Sequence, residues 1–336
     1  MPPAHREPPS PIGAAPAFVA AIDKISRLAP IDRPVLIVGE RGTGKELFAQ
    51  RLHFLSGRWA GPLISVNCAA LSEDLLESEL FGHEAGAFTG AVRARPGRFE
   101  QADGGTLFLD EVASARPSVQ EALLRVIEYG VFEPLGSDHS VATDIRVVAA
   151  TNVDLPALAR QGGFRADLLD RLAFDVVTVP PLRARGEDIP LLAEHFAIAM
   201  ARSLGLPYFA GFAEEALAQL TAYEWPGNVR ELRNAVERAV ARNADAEAPI
   251  AAIDLDPFAS PYRPPGPVSA CPAGDTAEAA GAAPVPADLR AAVDGYERAV
   301  LLRALAASAH NRRRAAAALG LEYHQLRHLL KKHGIG

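Results

Sequence analysis

The chain has 336 residues, 49% of them hydrophobic and 22% charged, and a net charge of −7; that length accommodates roughly two or three domains, each burying its own core. No apolar run nears membrane-spanning length and the N-terminus lacks the apolar stretch of a secretory signal, so neither membrane insertion nor export is expected. Cys68 and Cys271 are the only cysteines and stand in no metal-ligand spacing, which argues against a disulfide framework and a zinc site and fits a reduced cytoplasm.

Residues 1–11 read as a short leader. From Pro34 to about Val179, short apolar segments alternate with helical patterns, as in an α/β domain. Strands are expected at Val35–Val38, Leu63–Val66, Leu107–Leu109, Val147–Ala150 and Val176–Val179, with helices at Lys45–Phe54, Glu73–Leu80 and Ser118–Tyr129 between them. The strand signal stops near Ile189. Leu191–Leu204, Ala213–Ala222 and Val229–Arg242 then read as helices, the last opened by Trp225-Pro226-Gly227-Asn228. These limits give an α/β region over 12–180 and a helical region over 181–256.

Residues 257–286 are crowded with Pro, Ala and Gly and are expected to be a disordered linker, since they offer too little apolar surface to offset their ordering entropy. Residues 287–336 carry nine Lys/Arg against four acids, so this tail holds +5 and the rest of the chain −12. A basic module on an acidic body directs nucleic acid to the tail alone. Helices are expected at Tyr296–Ala306, Arg313–Leu319 and Tyr323–Lys332, with a turn at Gly320-Leu321. Two helices joined by a tight Gly turn, the second basic, make a helix-turn-helix for double-stranded DNA. Arg312, Arg313, Arg314, Lys331 and Lys332 suit phosphates, and Tyr323 shares their polar face. His324, Gln325, Arg327 and His328 are candidates to read base edges.

The chemistry is concentrated in two short segments. Gly39-Glu40-Arg41-Gly42-Thr43-Gly44-Lys45-Glu46 lies between a strand and a helix, the setting of a Walker A loop: backbone N–H groups and the helix N-terminus bind phosphate and Lys45 reaches the outer oxygens of ATP. Glu46 stands where such loops usually place a Ser/Thr hydroxyl for magnesium. An apolar strand then ends in Asp110-Glu111. Asp110 is the expected Mg²⁺ residue, acting through water, and Glu111 the group that orients or deprotonates the attacking water.

Between these segments stands Gly86-Ala87-Phe88-Thr89-Gly90-Ala91, preceded by Glu79-Leu80-Phe81-Gly82-His83-Glu84. With this hexapeptide the chain resembles the bacterial enhancer-binding proteins, AAA+ ATPases that remodel sigma-54 RNA polymerase. The resemblance covers nearly everything except the linker, and the Glu at position 46 is shared with that family. It implies an AAA+ α/β core over 12–180, a helical lid over 181–256 and a Fis-type helix-turn-helix over 287–336. Because only a short leader precedes the core, no phosphoacceptor or ligand-sensing domain is expected.

The resemblance also implies roles by position. Asn67 matches the polar partner that restrains the catalytic Glu, Thr151-Asn152 the sensor that reads the γ-phosphate, and Arg230 the second sensor, on the lid. Arg165 and Arg171 match fingers that reach ATP on the adjacent subunit of a homohexameric ring; the alternative is a salt bridge within the domain to Asp167 or Asp170. Gly86–Ala91 would grip the sigma factor. In one branch of the family a surface that includes an exposed tryptophan, matched here by Trp59, meets the negative regulator phage shock protein A. Two other classes stay open: a DNA-binding regulator that senses nucleotide without hydrolysing it, and an AAA+ replication initiator.

Overall fold

The computed structural model describes residues 11–70, 73–88, 91–243, 247–260, 262–263, 289–308 and 311–335. Leader residues 1–10, Thr89 and Gly90 of the hexapeptide, residues 264–286 of the expected linker and residues 287–288 of the expected tail lie outside the described residues. The chain divides into two units, residues 1–257 and 258–336.

In the first unit, a proline in the first turn and apolar residues at helical spacing make Pro16–Leu28 a helix (α1) that buries Phe18, Ala21, Ile25 and Leu28. It was not anticipated from the sequence. There follow β1 (Val35–Val38), α2 (Lys45–Phe54), β2 (Leu63–Asn67), α3 (Glu73–Phe81), β3 (Gly82–His83), β4 (Arg95–Pro96), α4 (Arg98–Gln101), β5 (Thr106–Asp110) and α5 (Pro117–Tyr129). After these come β6 (Val131–Phe132), β7 (Val141–Ala142), β8 (Arg146–Thr151), α6 (Leu155–Arg160), α7 (Ala166–Leu172) and β9 (Val176–Thr178). The five expected strands are all present, within a residue or so of their anticipated ends.

They form one sheet in the order β2-β5-β8-β1-β9, every pairing parallel. Both faces are covered. Ile37, Phe108 and Val148 pack with Phe18, Ile25, Phe48 and Leu52 of α1 and α2, while Leu36, Leu107 and Val147 pack with Leu80, Phe99, Leu123 and Leu168 on the other side. Double coverage is why the strands read as continuous apolar runs rather than alternating ones. Ligands of such sheets bind beyond the carboxyl ends of the strands. Gly39 follows β1, Asp110 ends β5 and Thr151 ends β8, so the topology brings three sequence-distant segments to one edge.

From Leu182 the unit is helical: α8 (Asp188–Ser203), α9 (Glu214–Ala222) and α10 (Asn228–Arg242). Their core surrounds the fully buried Trp225, whose indole N–H donates to the Leu220 carbonyl at 2.8 Å.

The second unit holds α11 (Leu289–Ala307), α12 (Arg312–Ala318) and α13 (Tyr323–Lys332) around Leu301, Leu305, Ala316, Leu326 and Leu330. Helix α11 starts at Leu289 rather than at the expected Tyr296. The α12–α13 turn has Gly320 at φ +67°, and the Leu321 N–H closes it on the Ala316 carbonyl at 2.9 Å; a left-handed glycine after a helix end is the geometry that frees no carbonyl. No helix among the described residues is long and apolar enough to cross a membrane.

Candidate nucleotide site

The loop after β1 takes its shape from Gly42 and Gly44, at φ +77° and +94°. The Thr43 hydroxyl donates to the Glu40 carbonyl at 2.9 Å, and the Gly39 N–H ties the loop to the end of β8 through the Thr151 carbonyl at 3.1 Å. Lys45 opens α2 and folds its ammonium onto the Gly39 and Glu40 carbonyls at 2.9 and 3.1 Å. Burial pulls the Lys45 pKa below its ordinary value, against the opposing fields of Asp110 and Glu111. Arg230, exposed on the first turn of α10, and Arg41 pull it the same way as burial, so both cations act on this spot. Glu46 stays on the exposed face of α2, 3.4 Å from the Gln50 amide.

At the end of β5 the Asp110 carboxylate accepts the Glu111 N–H at 2.9 Å. Glu111 itself sits at φ +53°, a left-handed conformation that costs a residue with a side chain and clusters at functional sites. Its carboxylate lies 3.3 Å from the Arg41 guanidinium. Asn67 stands beside Asp110 in the β2–β5 register, yet its side-chain oxygen accepts from the Ala69 N–H at 2.8 Å. The expected Asn67–Glu111 restraint is therefore not the contact made here, because the two-residue turn after β2 takes up the Asn67 oxygen. Thr151 is buried with its hydroxyl accepting from Val153 N–H at 3.0 Å, leaving the exposed Asn152 as the polar side chain at that strand end. Cys68 lies under the acid pair, and burial holds its thiol at about 12, a neutral and inert group.

Sequence reasoning missed the wall of the cleft. A cavity of about 260 Å³, the right order for a nucleobase, is lined by Ile12, Phe18, Thr43, Leu192, Phe196 and Val229. Beside it, the buried Asp188 accepts the Ala14 and Ala15 N–H groups at 2.6 and 3.0 Å, and the Arg185 guanidinium covers the Phe18 ring at 4.2 Å. The only hint in the sequence is an Arg and an Asp three apart at the start of a helix, which is common on any surface.

Arg171, on α7, is exposed and Arg165, just before it, is half-buried, and each is engaged within the chain. Arg165 grips Asp167 with two hydrogen bonds, at 3.1 and 2.7 Å; Arg171 donates to Glu128 of α5 at 2.9 Å, so its partner is Glu128 rather than Asp167 or Asp170.

Residues 82–97 are an insertion between α3 and α4, closed at its base by the β3–β4 pairing. Phe88 is 44% exposed and leans edge-on against His83 with ring centroids 5.0 Å apart. Gly86 N–H bonds to the Ala91 carbonyl at 2.8 Å, so the hexapeptide begins and ends at one point; Ala87 packs near Gly136 and Ala91 is buried. Elsewhere on the unit Trp59 is exposed, on a turn pinned by Arg58 to Asp32 and Asp144 at 2.9 and 2.6 Å.

In the second unit Arg312, Arg313, Arg314, Tyr323, His324, Gln325, Arg327, His328, Lys331 and Lys332 are all exposed. Some are already committed. Lys332 pairs with Asp294 and Glu297 of α11, His324 lies 3.1 Å from Glu322, and the Gln325 oxygen caps α13 by accepting the Glu322 N–H at 2.9 Å.

A parallel sheet with a glycine loop after β1, an acid pair after β5 and a helical lid is an AAA+ nucleotide-binding architecture. The chain belongs to the sigma-54-dependent transcriptional activators: residues 12–178 match the Sigma-54 interaction domain and residues 183–264 the AAA+ ATPase lid domain. It is 56% identical over 324 residues to the Psp operon transcriptional activator of Escherichia coli K12, covering 96% of this chain and 98% of that protein. It is 43% identical to the C4-dicarboxylate transport transcriptional regulatory protein DctD of Pseudomonas aeruginosa, covering 96% of this chain and 64% of that one. Among solved structures it is similar to NtrX from Brucella abortus in complex with ATP, with 33% identity and a TM-score of 0.68 over 97% of this chain and 70% of that one. Nucleotide binding follows from this membership.

Proposed function

We propose that the chain hydrolyses ATP as a homohexameric ring and uses the cycle to remodel sigma-54 RNA polymerase in the closed promoter complex, from upstream sites on double-stranded DNA. The phage shock operon is the target this reading favours, on the strength of the Psp operon relative. The observation that carries it is the combination, in one unit, of a phosphate loop facing an acid pair and an insertion whose tip leaves Phe88 exposed.

Lys45 and the N–H groups of residues 41–44 hold the phosphates. Asp110, a hard oxygen donor at a half-buried strand end, fits Mg²⁺, which when bound would neutralise phosphate charge. Glu111 takes the proton of the attacking water once its carboxylate leaves Arg41. Asn67, Thr151 and Asn152 report the state of the phosphates at the strand ends, and Arg230 reports it on the lid. Arg165 and Arg171 serve the neighbouring subunit by exchanging their own carboxylate partners for phosphate oxygens, a change worth ~10³-fold or more in rate. Gly86–Ala91 grips sigma-54 through Phe88 and Thr89. The helix-turn-helix holds the ring near the promoter, with the exposed Arg312, Arg313, Arg314, Arg327, His328 and Lys331 among its contacts. Trp59 marks the surface for phage shock protein A.

The test is promoter melting. Purified protein with ATP and sigma-54 holoenzyme is expected to make a sigma-54 promoter reactive to permanganate, and a non-hydrolysable analogue is expected not to. Turnover without melting would remove the remodelling role. Rings without turnover would favour the nucleotide-sensing regulator, and preference for origin DNA over sigma-54 would favour the initiator.

A further inference from the structure

Glu40 is an odd residue to find in a loop that binds a polyanion. A carboxylate there repels phosphate, and nothing in phosphate binding calls for it. The structure supplies another use. The Glu40 carboxylate accepts from both terminal nitrogens of Arg183, at 2.8 and 2.5 Å, and from the Asn228 amide at 3.0 Å. These donors hold its pKa down at about 2, the Arg183 hydrogen bonds first and Asn228 next.

Asn228 completes the attachment. It is fully buried at φ +53°, a conformation asparagine tolerates better than most residues. Its amide also donates to the Arg41 carbonyl at 3.0 Å, and its oxygen accepts the Leu182 N–H at 2.8 Å. One side chain thus joins the phosphate loop to the segment that enters the lid and to the start of α10. The loop backbone has no slack: a Cβ on Gly42 would strike the Gly227 carbonyl and come within 3.1 Å of the Arg230 Cβ.

We infer that Glu40, Arg183 and Asn228 are positioning residues that fasten the first turn of α10 onto the phosphate loop and so aim Arg230 at the nucleotide phosphates. Arg230 lies two residues beyond Asn228 and touches neither Glu40 nor Arg183 by hydrogen bond or ion pair, so Glu40 acts on it through the placement of the helix, and Arg183→Ala, which leaves the Glu40 charge in place, separates this from a direct field. The fastener acts on binding through geometry and makes no contact with ATP itself. This rests on the phosphate-sensing role given to Arg230 above.

A double-mutant cycle decides it, with mant-ATP binding to the full chain as the readout. Arg230→Ala is expected to weaken binding about tenfold in the wild-type background, the loss of one charge-assisted hydrogen bond. In Glu40→Gln, which keeps shape and removes charge, Arg230→Ala should cost less than about twofold, because the helix no longer aims the side chain. Arg183→Ala should behave as Glu40→Gln does, and Arg183→Lys, which keeps the charge but not the fork, should restore part of the difference. An Arg230→Ala penalty that is equal in both backgrounds overturns the fastener and leaves Arg230 in its role. A penalty absent from the wild-type background overturns the role of Arg230 and the fastener with it. Should Glu40→Gln fail to fold, Arg183→Ala, a change at an exposed side chain, runs the same cycle.

Discussion

The lid and the 82–97 insertion both serve the nucleotide core, but they are attached to it on opposite terms. The lid is joined by polar groups taken out of water: Asp188 and Asn228 are fully buried, and each bonds backbone far away in sequence. The insertion is joined at its base, where Glu84 N–H reaches the Leu135 carbonyl and Leu135 N–H the Gly82 carbonyl, both at 3.0 Å. Beyond that its described tip bonds mainly to itself, and Phe88 and Val92 face solvent. Buried polar pairs cannot be broken without leaving an unsatisfied group, so they fix a position. A tip closed on its own backbone can change shape without that penalty. The contrast matches the proposed division of labour, in which the lid registers the nucleotide and the insertion meets a partner.

The largest expected effect breaks the lid side. Asp188→Ala would leave the 3%-exposed Arg185 guanidinium without its carboxylate and two N–H groups at the start of α1 without an acceptor. The two charges stand 3.8 Å apart without a hydrogen bond between them, so the cost falls at the lower end of that for a broken buried pair, about 3 kcal/mol. Urea unfolding followed by the fluorescence of the buried Trp225 should show a loss of that order. A loss below about 1 kcal/mol would mean that water already satisfies these groups.

Gly42→Ala comes next. The position is left-handed and its Cβ would meet the Gly227 carbonyl, so about 1–3 kcal/mol of strain falls on the loop–lid contact. Both stability and mant-ATP binding should fall together. Stability lost with nucleotide affinity intact would show that the lid can back away without disturbing the phosphate loop.

Phe88→Ala tests the other half of the contrast. A side chain exposed to this degree contributes little to the fold, so the unfolding midpoint should move by no more than about 0.5 kcal/mol. Hydrolysis should persist while permanganate reactivity at the promoter disappears. A Phe88→Ala protein that still melts the promoter would transfer the remodelling role elsewhere on the insertion.

These two regions also differ in how far the sequence revealed them. The phosphate loop, the acid pair and the hexapeptide are local strings, and Lys45, Asp110 and Glu111 lie together because parallel strand ends share an edge. The sheet was legible for the same reason, its strands being short apolar runs between helical patterns. The lid fasteners were not, because the partners of Glu40 are Arg183 and Asn228, 143 and 188 residues away. Distance also hid Glu128 as the partner of Arg171, 43 residues off, where sequence proximity pointed to Asp170. Helix α1 escaped because its apolar positions adjoin a Pro- and Ala-rich leader. The left-handed Glu111 carries no sequence mark at all.

The smallest effect concerns acid. The Glu40 carboxylate titrates at about 2 instead of near the ordinary 4.5, because Arg183 and Asn228 hydrogen-bond its ionised form. A depressed carboxylate value stabilises the folded chain at pH values above the ordinary one, and that stability drains away as pH falls from about 4.5 towards about 2. The side chain is 41% exposed, so solvent screening keeps the contribution below about 1 kcal/mol. Other carboxylates titrate over the same range, which makes the difference between wild type and Glu40→Gln the quantity to follow. In urea midpoints that difference should be largest at about pH 5 and shrink by about pH 3, as the unfolded chain takes up a proton at Glu40 that the folded, still ion-paired carboxylate refuses. A difference that does not change with pH would mean that Arg183 and Asn228 favour Glu40 by shape alone, and the lid would then be held by Asn228 without help from charge.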